Sequence, residues 1–438
     1  MRMINTPICN FLEKYAADNR LRLHTPGHNG EFPHDITEVQ GADSLYESDV
    51  SGGIIAASEM FAASLFGAKR TCYSCGGTTL AIQTGLALLK AQGCKTVAAS
   101  RYSHRSFAHA CAALGLNVKW LYPDEYLSAD IKYDARALVG ADALFITNID
   151  YYGGTWKFVN PNIPVLIDNA HGSYLKFIDK RIFGTEYLHP LELGFPLMCA
   201  DSAHKTLPVL TGGAYLHFTD GVDASRAKEF MSVFGSSSPS YLILESLDRF
   251  NGMIAQNVRT VINACEAVAS LKQDLEICGI PMKKSDPLRI TINARECGMS
   301  GQEYAASLRA NGVEPEMADD NYVVMMFSGV STLEDCQRAE MAVKFTLMRT
   351  PQPLVKFPHI KPAQGMAMWE AMYAPRKLVP IEAARGEVCA EIKSVCPPGI
   401  PLIYPGEIID HTTAELLKAR GVNKIHIVMR ELKPMSAY

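Results

Sequence analysis

Apolar residues in this chain follow two rhythms. Short runs such as TVAAS, ALFIT and VLID alternate with longer stretches whose apolar positions recur every three to four residues. The first rhythm predicts buried strands and the second predicts helices laid against them. From the N-terminus, a helix is expected over 10–18, then a loop, HTPGHNGEFPHD, then a helix over 58–66. A short strand-like run leads into CGGTT and an apolar helix over 80–90. Beyond it, TVAAS reads as strand, SFAHACAALG as helix, and VKWLY, ALFIT, VLID and LMCADSA as strands. Short apolar strands between helices with glycine exits indicate a mostly parallel sheet covered on both faces.

This pattern holds to about residue 250. One long helical stretch is expected over 252–277. LRITINA, GQEYAASLRANG, YVVMMFS and LEDCQRAEMAVKFTLM then read strand, helix, strand, helix. TPQPLVKFPHIKP, with its four prolines, reads as a linker. A third compact region should end in the strand-like KIHIVMREL. The expected division is an N-terminal segment 1–45, a large α/β domain 46–250, a small α+β domain 251–350 and a C-terminal domain 351–438.

Composition narrows the function classes. The 438 residues are 48% hydrophobic and 20% charged, ordinary for a globular protein. Acidic groups outnumber basic ones 46 to 42, which provides no electrostatic footprint for nucleic acid or an anionic membrane. No apolar run reaches the length of a membrane-spanning helix. The first twenty residues place Glu13 and Lys14 where a leader's apolar centre would stand, so a cytoplasmic protein is expected. Cys72 and Cys75 form a CxxC, but no second pair accompanies it and its setting, TCYSC, is apolar. Packing is therefore favoured there over zinc or redox chemistry, and no metal is expected.

The chemistry concentrates in four places. Lys205 lies in DSAHKTLPVLTGGAYLH, among small and polar residues. Asp168 ends the strand VLID and is followed by Asn169, Ala170 and His171, at the strand end where open α/β sheets bind ligands. CGGTT opens a helix, a ready anion site. His104, in RYSHRS after the strand TVAAS, could stack on a flat ring or simply face solvent. Phosphate cradle, aromatic stacker, acid and lysine together meet the requirements of pyridoxal phosphate chemistry: a Schiff-base amine, a pyridinium partner, a phosphate site and a ring cover.

The chain resembles the Orn/Lys/Arg decarboxylase family. HTPGHNG is similar to that family's H-x-P-G-H-K-x-G, SHRS to H-K-S and DNAHG to D-E-A-H-G. SAHKTLPVLTGGA is similar to S-x-H-K-T-L-P-x-L-T-Q, SSSPSYLILESLD to T-S-P-S-Y-x-x-x-x-S-L-D, and CPPGIPLIYPGE to the Y-P-P-G-I-P block. DITEVQGADSLYES and the run after it resemble a further block. The resemblance implies an aspartate-aminotransferase-like (fold-type I) large domain with smaller α+β C-terminal domains. It also implies pyridoxal 5'-phosphate, decarboxylation of arginine, lysine or ornithine, and a homodimer with shared active sites. Position by position, it implies Lys205 as the Schiff-base lysine and Asp168 as the pyridinium partner. His104 would stack on the ring, and Gly77 and Thr78 would hold the phosphate. Ser202 and His204 would add contacts, with His204 or Lys205 returning the proton to Cα. His171 would lie beside the ring hydroxyl and the substrate carboxylate. Ser237 or Ser238 would reach the partner's phosphate, against the simpler reading of a flexible turn.

Three positions depart from the pattern: Asn29 for lysine, Asn169 for glutamate and Gly212 for glutamine. Tyr174 stands near the place of the family's second histidine. A cationic substrate end calls for a carboxylate, and Glu407 in YPGE is the candidate, with a salt bridge as the alternative reading. Other readings remain: an aminotransferase or lyase, with Arg289 as carboxylate receptor; a weakly catalytic cofactor or polyamine sensor; and a metal site of Asp168, His171 and His204.

Overall fold

The computed structural model describes residues 6–18, 20–37, 39, 41–46, 52–124, 133–134, 136–155, 158–346, 349–356, 358, 360–394 and 400–429. Parts of five stretches named above lie outside these: 38, 40, 47 and 48 of the DITEVQGADSLYES block, 347 and 348 of LEDCQRAEMAVKFTLM, 357 and 359 of the proline-rich stretch, 396–399 of CPPGIP, and 430–432 of KIHIVMREL.

The central strands are β1 (Arg70–Ser74), β2 (Thr96–Ser100), β3 (Asn117–Leu121), β4 (Ala143–Thr147), β5 (Val165–Asp168), β6 (Met198–Asp201) and β7 (Ala214–Phe218). They form one sheet in the order β1-β7-β6-β5-β4-β2-β3. Pairing from β3 through β2, β4 and β5 to β6 is parallel, as the apolar runs predict. Alternate side chains serve opposite faces: Leu166 packs with Ala81, Leu86 and Phe107, whereas its neighbour Ile167 packs with Leu144, Ile146 and Cys199. Helices Gly77–Ala91 and Arg105–Leu114 supply the first of these layers.

Two elements differ from expectation. β7 pairs antiparallel to both β6 and β1. Its sequence, AYLHF, carries the polar groups of Tyr215 and His217, yet both residues are fully buried. The stretch expected as one helix over 252–277 is two, Tyr241–Gln256 and Arg259–Ile277. The break falls at Asn257, whose backbone leaves the helix at φ −147° and ψ 81°; asparagine is a weak helix former whose amide competes for backbone partners. Cys72 lies in the core and Cys75 points its thiol at the Ser240 carbonyl, 3.7 Å away. Burial pushes the Cys75 thiol up to about 12, which keeps it protonated and poorly suited as a metal ligand or nucleophile.

Strands β8 (Met282–Lys283), β9 (Arg289–Asn293), β10 (Met317–Ala318) and β11 (Tyr322–Met326) make a second, antiparallel sheet in the order β10-β11-β9-β8. Helices Gly301–Ala310 and Leu333–Phe345 pack with it, each opened by a capping box at Ser300 and Thr332. The C-terminal strands are β12 (Arg376–Pro380), β13 (Lys393–Ser394), β14 (Pro401–Ile403) and β15 (Lys424–Val428), paired β12 with β15 and β13 with β14. Their core gathers Ile381, Cys389, Leu402, Leu417 and Ile425. No helix among the described residues is long and apolar enough to cross a membrane.

Arg101, just past β2, fastens this C-terminal region to the large sheet. Its guanidinium donates to the Leu402 carbonyl at 2.8 Å and to Glu407 at 3.0 Å, and lies 4.3 Å from the Tyr404 ring centroid. Both charged side chains are almost wholly buried. Glu407→Gln should therefore strand the Arg101 charge and destabilise the fold by about 3–5 kcal/mol in chemical denaturation. A loss below about 1 kcal/mol, the range of an exposed pair, would show that this ion pair does not hold the C-terminal region in place.

Candidate functional site

The chain leaves β2 outward to edge strand β3 and then returns past β2 to β4. The order of strands thus reverses between β2 and β4, and open parallel sheets form their crevice at such a point, beyond the carboxyl ends. A pocket lies there. It is lined after β2 by Tyr102 and His104, at and after β4 by Thr147, Asp150 and Tyr151, at and after β5 by Asp168 and His171, and after β6 by Lys205. Thr78, at the start of helix Gly77–Ala91, Ile400 of the C-terminal region, and Ser100, Ile149 and Ala170 also line it.

Lys205 sits in the single turn Ala203–Thr206, its Nζ 3.1 Å from His171 Nε2. Burial lowers the lysine's pKa, with Asp168 acting the other way. A lysine whose charge is penalised is closer to the neutral amine that attacks a carbonyl. Burial and the Lys205 charge hold His171 well below the usual histidine range, so it is neutral. Tyr151 meets the His171 ring edge to face, with centroids 5.2 Å apart. Asp168 is 4% exposed; burial raises its pKa and Lys205 lowers it. Its Oδ1 accepts the Ala170 amide at 3.1 Å.

His104 caps helix Arg105–Leu114, accepting the Ser106 amide at Nδ1. Burial, with the Lys205 and Arg105 charges, brings its pKa down to about 4 and keeps the ring neutral. Gly77 has φ +65°, a left-handed backbone favouring glycine, and a Cβ there would meet nothing within 4 Å. Its amide donates to the Gly212 carbonyl at 2.8 Å. Gly212 itself has φ +94°, and a Cβ would come within 2.9 Å of the Cys75 carbonyl oxygen. The glycine at this departure from the family pattern permits that close crossing of two loops.

The other departures also have structural reasons. Asn29 adopts φ 52°, a conformation asparagine tolerates better than most residues. Asn169 is fully buried, accepting from Asn148 Nδ2 at 2.7 Å and donating to Asp201 at 2.6 Å. His189 lies 2.9 Å from the same Asp201 carboxylate and His217 3.4 Å from it; despite burial, the two imidazoles hold its pKa down. A glutamate at 169 would bring a second buried carboxylate against Asp201. Tyr174 donates its hydroxyl to Asp286, which also pairs with Arg289 at 2.6 Å.

Thr78, His104, Asp168, His171 and Lys205 therefore share one pocket. Gly77 adjoins Thr78 but does not line the pocket, nor do Ser202, which precedes the lysine turn, and His204, which lies within it. Ser237 and Ser238 lie on an exposed loop away from it. Glu407 is bound up with Arg101 and is also outside the lining. Among the described residues, the metal-type donors that cluster are His189, Cys199 and Asp201; Asp168, His171 and His204 do not form such a group. Tyr102 and Tyr151 were not anticipated as lining residues, although each follows an apolar strand. Ile400 lies in the CPPGIP block, which by itself gives no sign of a pocket wall.

These residues fit pyridoxal 5'-phosphate. A buried carboxylate suits a pyridinium nitrogen, a neutral imidazole suits a ring face, and a free helix start suits a phosphate. The Ser202 hydroxyl is buried without a hydrogen-bond partner, so a phosphate oxygen would satisfy it.

Sequence comparison agrees with this geometry. Residues 6–277 match the major domain of the Orn/Lys/Arg decarboxylases and residues 350–421 their C-terminal domain. An arginine decarboxylase of Bacillus subtilis is 27% identical, covering 93% of this chain and 92% of its own. One from Halalkalibacterium halodurans is also 27% identical, covering 95% and 94%. The Francisella novicida lysine decarboxylase LdcF shares the fold with a TM-score of 0.77 at 14% identity, over 98% of this chain and 82% of that one. With both of its domains matched in order, the chain belongs to the Orn/Lys/Arg decarboxylase family, fold-type I enzymes whose cofactor is pyridoxal 5'-phosphate.

Proposed function

We propose that this protein removes the α-carboxylate of a basic amino acid, arginine, lysine or ornithine, to yield the corresponding amine, a polyamine or its precursor. The observation that carries the reading is the meeting of Lys205, Asp168, His104 and Thr78 in one pocket at the carboxyl ends of β2, β5 and β6 and the start of a helix. When bound, pyridoxal phosphate supplies the electron sink that accepts the pair left as CO2 departs. Lys205 is the residue that holds it covalently. Asp168 keeps the pyridine nitrogen protonated, and the neutral His104 ring covers one face. The amide at Thr78, with the Ser202 hydroxyl, binds the phosphate, while Gly77 shapes the turn that presents it. Lys205 Nζ, hydrogen-bonded to His171 Nε2, is placed to return a proton to Cα. The apolar wall at Ile149, Ala170 and Ile400 favours loss of charge as a neutral gas leaves.

Transamination is disfavoured because its anion receptor is engaged elsewhere. Arg289 is buried, paired with Asp286, and outside the pocket lining. We also propose that the active unit is a homodimer. The exposed Ser237 and Ser238 do not line the Lys205 pocket of their own chain, and a partner's phosphate would give them a ligand.

Four outcomes are expected. Assayed for CO2 release, the protein should act on at least one of L-arginine, L-lysine and L-ornithine. Lys205→Ala should abolish both release and the yellow, borohydride-reducible linkage; a linkage that survives would place another lysine at the anchor. Asp168→Asn should keep the fold but lose several orders of magnitude in turnover, since an amide cannot stabilise the pyridinium charge; near-normal rates would remove Asp168 from the mechanism. Finally, inactive Lys205→Ala chains mixed with chains altered at both Ser237 and Ser238 should regain activity. One site of the mixed dimer would have both intact halves. Absence of recovery, with mixed dimers formed and the serine variant inactive, would place the site within one chain.

A further inference from the structure

A substrate with a cationic side chain needs an anion where that side chain ends, because a charge taken from water without a partner is costly. The carboxylates in and around the pocket are few, and most are engaged. Asp168 belongs to the cofactor's nitrogen in the reading above. Asp150 accepts the amides of Tyr152 and Gly154 at 2.9 and 2.8 Å. Asp286 holds Arg289 and Tyr174, and Glu407 holds Arg101. Asp319 accepts the amides of Asn321 and Tyr322 and the Tyr152 hydroxyl.

Glu316 differs from all of these. It immediately precedes β10, and its amide donates to the Val324 carbonyl of β11 at 2.9 Å, so its backbone is fixed by the second sheet. The next residue, Met317, is buried in a cluster with Ile400, against which Tyr102 and Tyr151 pack. Those three residues are themselves pocket walls. Glu316 is exposed and makes no ion pair among the described residues, whereas nearby Glu314 is paired with Arg309 at 2.7 Å. Burial and Asp168 act most strongly on both Lys205 and Tyr151, and the Glu316 carboxylate is among the further charges near enough to act on each.

We infer that Glu316 is the carboxylate that receives the cationic end of the substrate side chain, at a mouth walled by Tyr102 and Tyr151. The inference rests on the decarboxylase reading and names a residue that determines its specificity. The tyrosine rings add to it, since a guanidinium or ammonium is attracted to an aromatic face.

The test compares kinetics of the intact holoenzyme with Glu316→Gln, Glu316→Asp and, as control, Glu314→Gln, on whichever basic amino acid is turned over. Glu316→Gln should raise KM at least about tenfold, the loss expected for a charged hydrogen bond, with kcat and the cofactor absorption little changed. Glu316→Asp, which keeps the charge, should recover part of the loss, and Glu314→Gln should behave as wild type. The wild-type KM should also rise with ionic strength more steeply than that of Glu316→Gln. An unchanged KM in Glu316→Gln, with wild type active, overturns the inference and leaves the decarboxylase reading standing. Inactivity of wild type toward all three amino acids overturns the decarboxylase reading itself. Should Glu316→Gln fail to hold cofactor, the wild-type salt dependence decides: a rise supports the role of Glu316, and a flat profile overturns it.

Discussion

Parallel pairing from β3 to β6 obliges those strands to release the chain at the same edge of the sheet, and the chemistry of this protein depends on that shared exit. A parallel ladder buried on both faces has no polar surface of its own. Its polar groups accumulate where the strands end. Tyr102 and His104, Asp150 and Tyr151, Asp168 and His171, and Lys205 each follow or end a different strand. None of these groups is close to all the others in sequence. Burial then sets their character: it lowers the lysine, neutralises both histidines and raises the aspartate. Desolvation is the largest cause in every case, so the same constraint that builds the crevice also tunes it.

Much of this could be read along the chain because it is local. The strand VLID with its terminal Asp168, the helix start at CGGTT and the lysine in SAHKT each announce themselves within a few residues. What could not be read is what depends on distant partners. β7 looks too polar for a core strand until His217 finds Thr71 on β1 and Asp201 on β6. Glu407 could be proposed as a substrate carboxylate only while Arg101, far earlier in the chain, was not known to face it. Glu316, in the acidic run EPEMADD, carries no pattern distinguishing it from solvated neighbours. Its position emerges from the pairing of β10 with β11 and from the cluster around Met317.

The departures from the family pattern illustrate compensation rather than decay. Asn169 is joined to Asn148 and Asp201 in a fully buried network that extends to His189. An amide serves there because it both donates and accepts. Gly212 lets its loop cross that of Cys75 to Gly77 at backbone contact, and so helps shape the helix start that faces the pocket. At these two positions the residue present is matched by its neighbours.

The placement of Ile400 and Glu407 has a consequence for biogenesis. One wall of the pocket comes from residue 400, and the pair that clamps that wall's region to β2 needs residue 407. Synthesis proceeds from the N-terminus, so the large sheet can assemble on the ribosome long before its crevice has all its walls. The pocket is therefore walled only once residues 400 and 407 have emerged. A chain ending before residue 400 would carry Lys205 in a crevice that lacks one of its walls.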